Sequence, residues 1–185
     1  MIAGKHLLRY LKGSSTIGLT YKGPTGDRSI TLTGHADASY NSDPESSRSV
    51  GGYVFSLNGV ALSWRSKLQD VVALSTTEAE YMALSSAIQE ATHLRQLLKD
   101  IGLIQGPTVI HQDNQPCIHV STNPVTHPRT KHIAVKYHYV RECIAAGIIR
   151  LVYTPTLDMT ADIFTKALGK VLFFKFRAAL LGMHP

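Results

Sequence analysis

Residues 76–100 place apolar side chains at helical spacing. Projected at ~100° per residue, Leu84, Ala87, Ala91, Leu94 and Leu98 share one stripe, and Glu80 lies on its axis. Glu78 falls on the polar side with Ser85 and Gln89. The pattern predicts a long amphipathic helix that stops at Gly102. An acid on the buried face of such a helix must be paired, protonated or bound to a metal. Glu80 therefore asks for a partner, whereas Glu78 reads as a first-turn acid favoured by the helix dipole.

Alternation takes over elsewhere. Residues 29–38 read as a strand ending at Asp37, and 41–49 as a polar loop. Residues 50–57 and 60–67 read as two strands joined at Asn58-Gly59, a type I′ hairpin signal. Residues 108–112 form a short apolar strand ending at Asp113, and 148–154 form another. Helices are expected over 2–11 (Leu7, Leu8 and Leu11 on one side), 114–120, 132–146, from 160 to 167, and 172–181. Residues 17–21 read as a short β run, and 123–131 as an irregular loop. A hairpin followed by strand–helix–strand crossovers implies an α/β fold, a mixed sheet with helices on both faces. Sites in such sheets form beyond the carboxyl ends of strands, where Asp37 and Asp113 stand.

Composition adds limits. The 185 residues, 44% hydrophobic, suit one domain with an appended segment. No run approaches the ~18 apolar residues of a membrane span, and the N-terminus lacks the apolar centre of a signal peptide. Cys117 and Cys143 form no C-x-x-C pair and read as small apolar side chains of a reducing compartment. The net charge is +6, and residues 101–185 hold nine Lys/Arg against four Asp/Glu. That asymmetry suggests a polyanionic partner.

Asp37, Glu80, Asp113 and Asp162 stand out together. Singly, Asp37 would open a polar loop, Asp113 would cap the next helix, and Asp162 would favour a helix start. Brought close, they would repel unless divalent cations shared them, and oxygen-only ligands favour Mg²⁺ or Mn²⁺. Two such ions suit phosphodiester cleavage.

The pieces HADASY, SVGGYVFSLNGVALSWRSKLQ, ALSTTEAEYMAL, HQDNQ, TKHIAVKYHYVRE and ADIFTK resemble, in order, the ribonuclease H domain of a copia-class LTR retrotransposon polyprotein. The resemblance covers roughly residues 35–166. KHLLRYLKGSSTIGLTY resembles the end of a preceding reverse transcriptase region, and residues 173–183 the polyprotein's C-terminal end. It implies residues 1–28 as a reverse transcriptase remnant, 29–169 as the ribonuclease H domain and 170–185 as a helical tail. It further implies a ribonuclease H-like fold, a five-stranded mixed sheet whose second strand is antiparallel to its neighbours. The family's four carboxylates carry over to Asp37, Glu80, Asp113 and Asp162, holding two Mg²⁺ or Mn²⁺. By analogy, Asp37 would bridge both ions, Asp162 would complete the one holding the attacking water, and Glu80 and Asp113 would hold the one facing the leaving 3′ oxygen. Glu80 would also reach the 2′-hydroxyl that separates RNA from DNA. The implied reaction is hydrolysis of the RNA strand of an RNA–DNA hybrid to 5′-phosphate and 3′-hydroxyl ends. The implied setting is a cytoplasmic virus-like particle, beside the upstream reverse transcriptase and away from membranes. One departure stands out: cellular relatives carry a histidine in the loop before the last aspartate, but Pro155, Thr156, Leu157, Asp158 and Met159 include none.

Other residues carry two readings. His35 and His111 sit two residues before Asp37 and Asp113, on the same strand faces, and suit either support of the site or strand packing. Arg129, Lys131, Lys136 and Arg141 suit phosphate contact or a solvated face. Asn114 and Gln115 suit sugar contacts in the hybrid's minor groove or helix capping. Asp158 suits an accessory acid or a cap. His132 and His138 are six apart and do not share a helix face, which argues against zinc. Trp64 reads as core or edge packing. Two competing functions remain: a nucleic-acid-binding module of this fold with weak or no activity, and a DNA-cutting relative, against which the motif set argues.

Overall fold

A computed structural model describes residues 2–21, 30–123 and 134–183. The elements are α1 (Ile2–Gly13), β1 (Leu32–Ser39), β2 (Val50–Leu57), β3 (Val60–Leu68), α2 (Thr76–Asp100), β4 (Thr108–Gln112), α3 (Gln115–Thr122), α4 (Ala134–Ala145), β5 (Ile149–Tyr153) and α5 (Lys170–Leu180). The strands form one sheet in the order β3-β2-β1-β4-β5. β2 is antiparallel to β1 and β3, while β4 runs parallel to β1 and β5 to β4. The expected five-stranded mixed sheet with an antiparallel second strand is therefore present.

Local chemistry explains the elements. Asn58 and Gly59 take φ of 51° and 87°, the left-handed pair that a tight hairpin between β2 and β3 demands. Ser75 caps α2, its side chain accepting from the Glu78 N–H at 3.2 Å. The stripe from Leu84 to Leu98 is buried against Leu32, Ala36 and Phe55 on the front of the sheet, and Cys117, Val140 and Cys143 of α3 and α4 complete this core. Both cysteines are buried free thiols, as their role as small apolar fillers requires. Behind the sheet, Val54 and Ala61 meet Leu180, with Ile163 and Phe164 packed alongside.

Two expectations fail. Residues 17–21 form no strand; the Thr20 N–H donates to Leu181 O, and Tyr21 Oη to Ala61 O, which ties the segment to α5 and β3 without pairing it to the sheet. Residues 160–164 form a 3₁₀ turn (Thr160–Phe164) rather than the start of an α-helix. The helix expected over 2–11 is present as α1, and its Leu7, Leu8 and Leu11 are exposed. Trp64 sits on the edge strand β3 and is about half exposed.

Candidate active site

β1 delivers Asp37 near its carboxyl end, and Asp113 follows the end of β4. The 3₁₀ turn Thr160–Phe164 delivers Asp162. One carboxylate oxygen from each of the three lies within 4.8 Å of the others. Asp37 and Asp162 are buried, and Asp113 is half-buried. Residues 37, 113 and 162 thus meet although 125 positions separate the first from the last, because β1 and β4 are neighbours and the 3₁₀ turn packs against β1 and β2.

Glycine makes the third approach feasible. Gly52 of β2 pairs with Asp37, and a Cβ there would lie 2.8 Å from Thr165 Cγ2 and 2.9 Å from Phe164 Cβ. A side chain at 52 would push the segment bearing Asp162 off the sheet. Gly52→Val is expected to weaken divalent-metal binding by ~10-fold or more and to cost ~1–3 kcal/mol of stability through overpacking. Calorimetric titration with Mn²⁺, with thermal melting alongside, checks this; wild-type affinity would show that the segment relaxes freely.

Glu80 enters from the second turn of α2 and is buried beside this triad rather than within it. Its Oε2 has no hydrogen-bond partner among the described residues. Burial, followed by the charges of Asp37 and Asp113, pushes its carboxyl up to about 9, with Gln112 and Lys166 pulling the other way. Asp162 is raised to about 6, first by burial and then by Asp37, against the pull of Lys166. Such acids accept cations readily, because a cation relieves both the burial and the repulsion.

The pH dependence follows from these shifts. Glu80 binds its proton more tightly folded, at about 9 against an ordinary 4.5. Asp162 does so at about 6 against 3.8. The folded protein therefore holds more protons than the unfolded chain across these windows, so metal-free stability is full below them and falls as pH rises through them. The metal-free melting temperature is expected to drop by ~5 °C or more between pH 5 and pH 9. Glu80→Gln should flatten the upper part of that curve. A flat wild-type curve, measured by circular dichroism in a chelator, would contradict the assignment.

Four supporting residues escaped the sequence reading. Thr165 Oγ1 donates to Asp37 Oδ2 in a short hydrogen bond. Thr156 Oγ1 donates to Asp113 Oδ2 at 2.8 Å. Lys166 Nζ lies 3.0 Å from Asp162 Oδ1 and 3.7 Å from Asp37 Oδ2, and the two carboxylates hold its amine above the ordinary value although burial alone would lower it. Gln112 is fully buried, and its Oε1 accepts from the Asp113 N–H at 2.9 Å, shaping the turn that presents Asp113. The available signal was the i+3 and i+4 spacing of Thr165 and Lys166 from Asp162, inside the ADIFTK piece.

The other predicted residues divide. Glu78 is buried, not on an open polar face, and its Oε2 accepts from the Leu74 N–H at 3.0 Å. His35 and His111 stack on each other, centroids 4.4 Å apart, and His111 Nδ1 lies 2.6 Å from Thr154 Oγ1. Burial, then His111, lowers His35 to about 3. Among the described residues neither histidine hydrogen-bonds a site carboxylate. Asn114 caps α3, accepting from the Cys117 N–H at 2.8 Å, and Gln115 is exposed at the start of that helix. Arg141 donates to the carbonyls of Val120 and Asn123, clasping the end of α3 to α4. Asp158 pairs with Lys175 at 2.6 Å and makes no capping hydrogen bond among the described residues; Met159 stands at the cap position of the next turn. Lys136 borders a groove beside β3. Arg129, Lys131 and His132 lie outside the described residues.

No family model matches the chain. It is 38% identical to the retrovirus-related Pol polyprotein from transposon TNT 1-94 of Nicotiana tabacum, over 98% of this chain and 13% of that protein. It is 36% identical to the corresponding polyprotein from transposon RE2 of Arabidopsis thaliana, over 93% of this chain and 12% of that protein. The chain thus spans about an eighth of the length of these curated relatives. Among solved structures it is similar to LC11-RNase H1 in complex with an RNA/DNA hybrid, with a TM-score of 0.54 and 15% identity over 73% of this chain and 94% of that one. No described helix is long and apolar enough to cross a membrane.

Proposed function

Since this chain is homologous to the Pol polyproteins of plant copia-type retrotransposons and has the ribonuclease H fold, we propose that it hydrolyses the RNA strand of RNA–DNA hybrids formed during reverse transcription. The observation that carries this reading is the convergence of Asp37, Asp113 and Asp162 within 4.8 Å, with Glu80 buried and unpartnered at Oε2 beside them. This donor set is oxygen-only and over-supplied with negative charge, which fits Mg²⁺ or Mn²⁺. Asp37, Asp113 and Asp162 would hold such ions, with Glu80 beside them. When bound, the ions supply charge neutralisation and an activated water for in-line displacement at phosphorus.

The chain's own residues do the positioning. Thr165 holds one oxygen of Asp37 and Thr156 one oxygen of Asp113, which fixes the two carboxylates. Lys166 balances Asp162 and Asp37 before any ion arrives. Glu80 would accept from the ribose 2′-hydroxyl, the group that separates RNA from DNA. In the reaction water adds to phosphorus and the P–O3′ bond breaks, leaving 5′-phosphate and 3′-hydroxyl ends. Residues 1–28 would be the end of the reverse transcriptase region, 29–169 the ribonuclease H domain and 170–185 its tail, working in cytoplasmic virus-like particles.

Labelled hybrid, duplex DNA and duplex RNA incubated side by side with Mg²⁺ or Mn²⁺ test the proposal. Cleavage of the hybrid's RNA strand alone is expected. Cleavage of duplex DNA would favour the DNA-cutting reading, and binding without cleavage the inactive module.

A further inference from the structure

Among the described residues one cation already sits on the carboxylate cluster, the amine of Lys166. The Lys166 N–H donates to Asp162 O at 3.1 Å, closing a turn that sets the side chains of 162 and 166 beside each other. That turn is fixed to the sheet, since Phe164 and Thr165 lie against Gly52 and Thr165 Oγ1 donates to Asp37. The backbone therefore holds the stem of Lys166 at the edge of the cluster. From there its amine reaches Asp162 Oδ1 at 3.0 Å and Asp37 Oδ2 at 3.7 Å. Both carboxylates are buried, whereas the lysine side chain is 36% exposed.

This contact is a pairing of charges rather than a directed clasp. Asp162 Oδ1 takes no aligned hydrogen bond among the described residues, so its lone pairs stay uncommitted while the amine lies beside it. Lysine carries a compact charge on a flexible four-carbon stem. The amine can swing to solvent without moving the turn, because the turn is held by Thr165 and by its own backbone bonds.

A divalent ion would meet that amine at close range. Mg²⁺ binds oxygen at ~2.0–2.1 Å, which puts an ion on Asp162 Oδ1 within ~5 Å of an amine held 3.0 Å from the same oxygen. Two positive charges so close in a buried site repel strongly. The amine and the ion therefore compete for the same oxygens. We propose that Lys166 is a built-in occupant of the ion's place: it holds Asp37 and Asp162 together in the metal-free protein, weakens divalent-ion binding, and moves toward solvent when the ion enters. Without it the buried acids would spread apart or take up protons. With it the cluster is assembled before any ion arrives, and the ion concentration the site needs is set higher. This deepens the hybrid-cleaving reading and rests on it for the carboxylates that hold the ion.

Two variants test the proposal. Lys166→Met keeps an unbranched stem and removes the charge, and Lys166→Arg keeps the charge. Both are titrated with Mn²⁺ by calorimetry at a pH well above the value of about 6 that Asp162 takes. Lys166→Met should bind Mn²⁺ ~10-fold more tightly than wild type, because a like charge beside the ion is gone. Its melting temperature in a chelator should fall by ~3 °C or more, because the buried carboxylates lose their partner. These effects oppose each other in sign, whereas loss of a merely structural side chain would lower both metal affinity and stability. Lys166→Arg should stay near wild type in both. The Mn²⁺ concentration for half-maximal hybrid cleavage by Lys166→Met should fall along with its dissociation constant. Equal or weaker Mn²⁺ binding by Lys166→Met, an Arg variant that binds as tightly as the Met variant, or no Mn²⁺ binding by any of the three proteins overturns the proposal. Tighter binding by Lys166→Met in a protein that cleaves no hybrid would overturn the hydrolytic reading and leave the role of the lysine standing.

Discussion

Asp37→Asn is expected to reduce hybrid cleavage by at least ~1,000-fold, a loss of ~4 kcal/mol of transition-state stabilisation. The carboxylate is buried and sits among Asp113, Asp162 and Lys166, so its charge reaches every part of the site. Asn is nearly isosteric, and its Oδ1 still accepts from Thr165 Oγ1, so the strand and turn should keep their places. What disappears is one negative charge and one metal-binding oxygen. Mn²⁺ affinity should fall in parallel. Stability without metal should hold or rise slightly, because the remaining carboxylates repel less while Lys166 stays 3.0 Å from Asp162. Cleavage assays, calorimetry and thermal melting read these three effects. Wild-type cleavage by the variant would remove Asp37 from the centre of the mechanism.

The second large effect separates two glutamates that stand two residues apart on α2 and are both buried. Glu80→Gln keeps the volume but removes the carboxyl that a bound cation would draw into its charged form, and cleavage should drop by ~100-fold or more. Glu78→Gln should leave cleavage within ~3-fold while lowering stability by ~1–2 kcal/mol, because its carboxylate makes a charge-assisted hydrogen bond to the Leu74 N–H that an amide makes less strongly. The two readouts cross: one variant loses turnover and the other loses stability. A dead Glu78 variant beside an active Glu80 variant would reverse the assignment. A dipole argument alone would give Glu78 a smaller cost, since it treats that acid as solvated.

Much of the frame was legible in the chain because it depends on local periodicity. The α2 register placed Glu80 on the buried face, and the stripe from Leu84 to Leu98 packs as projected. Asn58-Gly59 specified its turn through backbone conformations that those residue types tolerate. Strand ends marked Asp37 and Asp113, and both reach the site.

What local pattern could not express was the far side of each element. Glu78 falls on the polar side of the α2 projection, yet it is buried, its carboxylate held by the Leu74 N–H and its charge reaching Tyr137 of α4, more than fifty residues downstream. Residues 17–21 alternate like a strand but bond to α5 and β3 side by side, so pairing was lost to competing tertiary partners. By its charge alone Arg141 suited phosphate contact or a solvated face, and in the fold its Nη2 donates to the carbonyls of Val120 and Asn123 at the end of α3. Sequence by itself determined which residues could ionise, which faces were apolar and where the turns fell. Only the tertiary structure decided that Asp162 meets Asp37 across Gly52, and that Lys166 and two threonines hold the carboxylates. Those outcomes depend on distances between chain segments far apart in sequence, which periodicity does not encode and packing does.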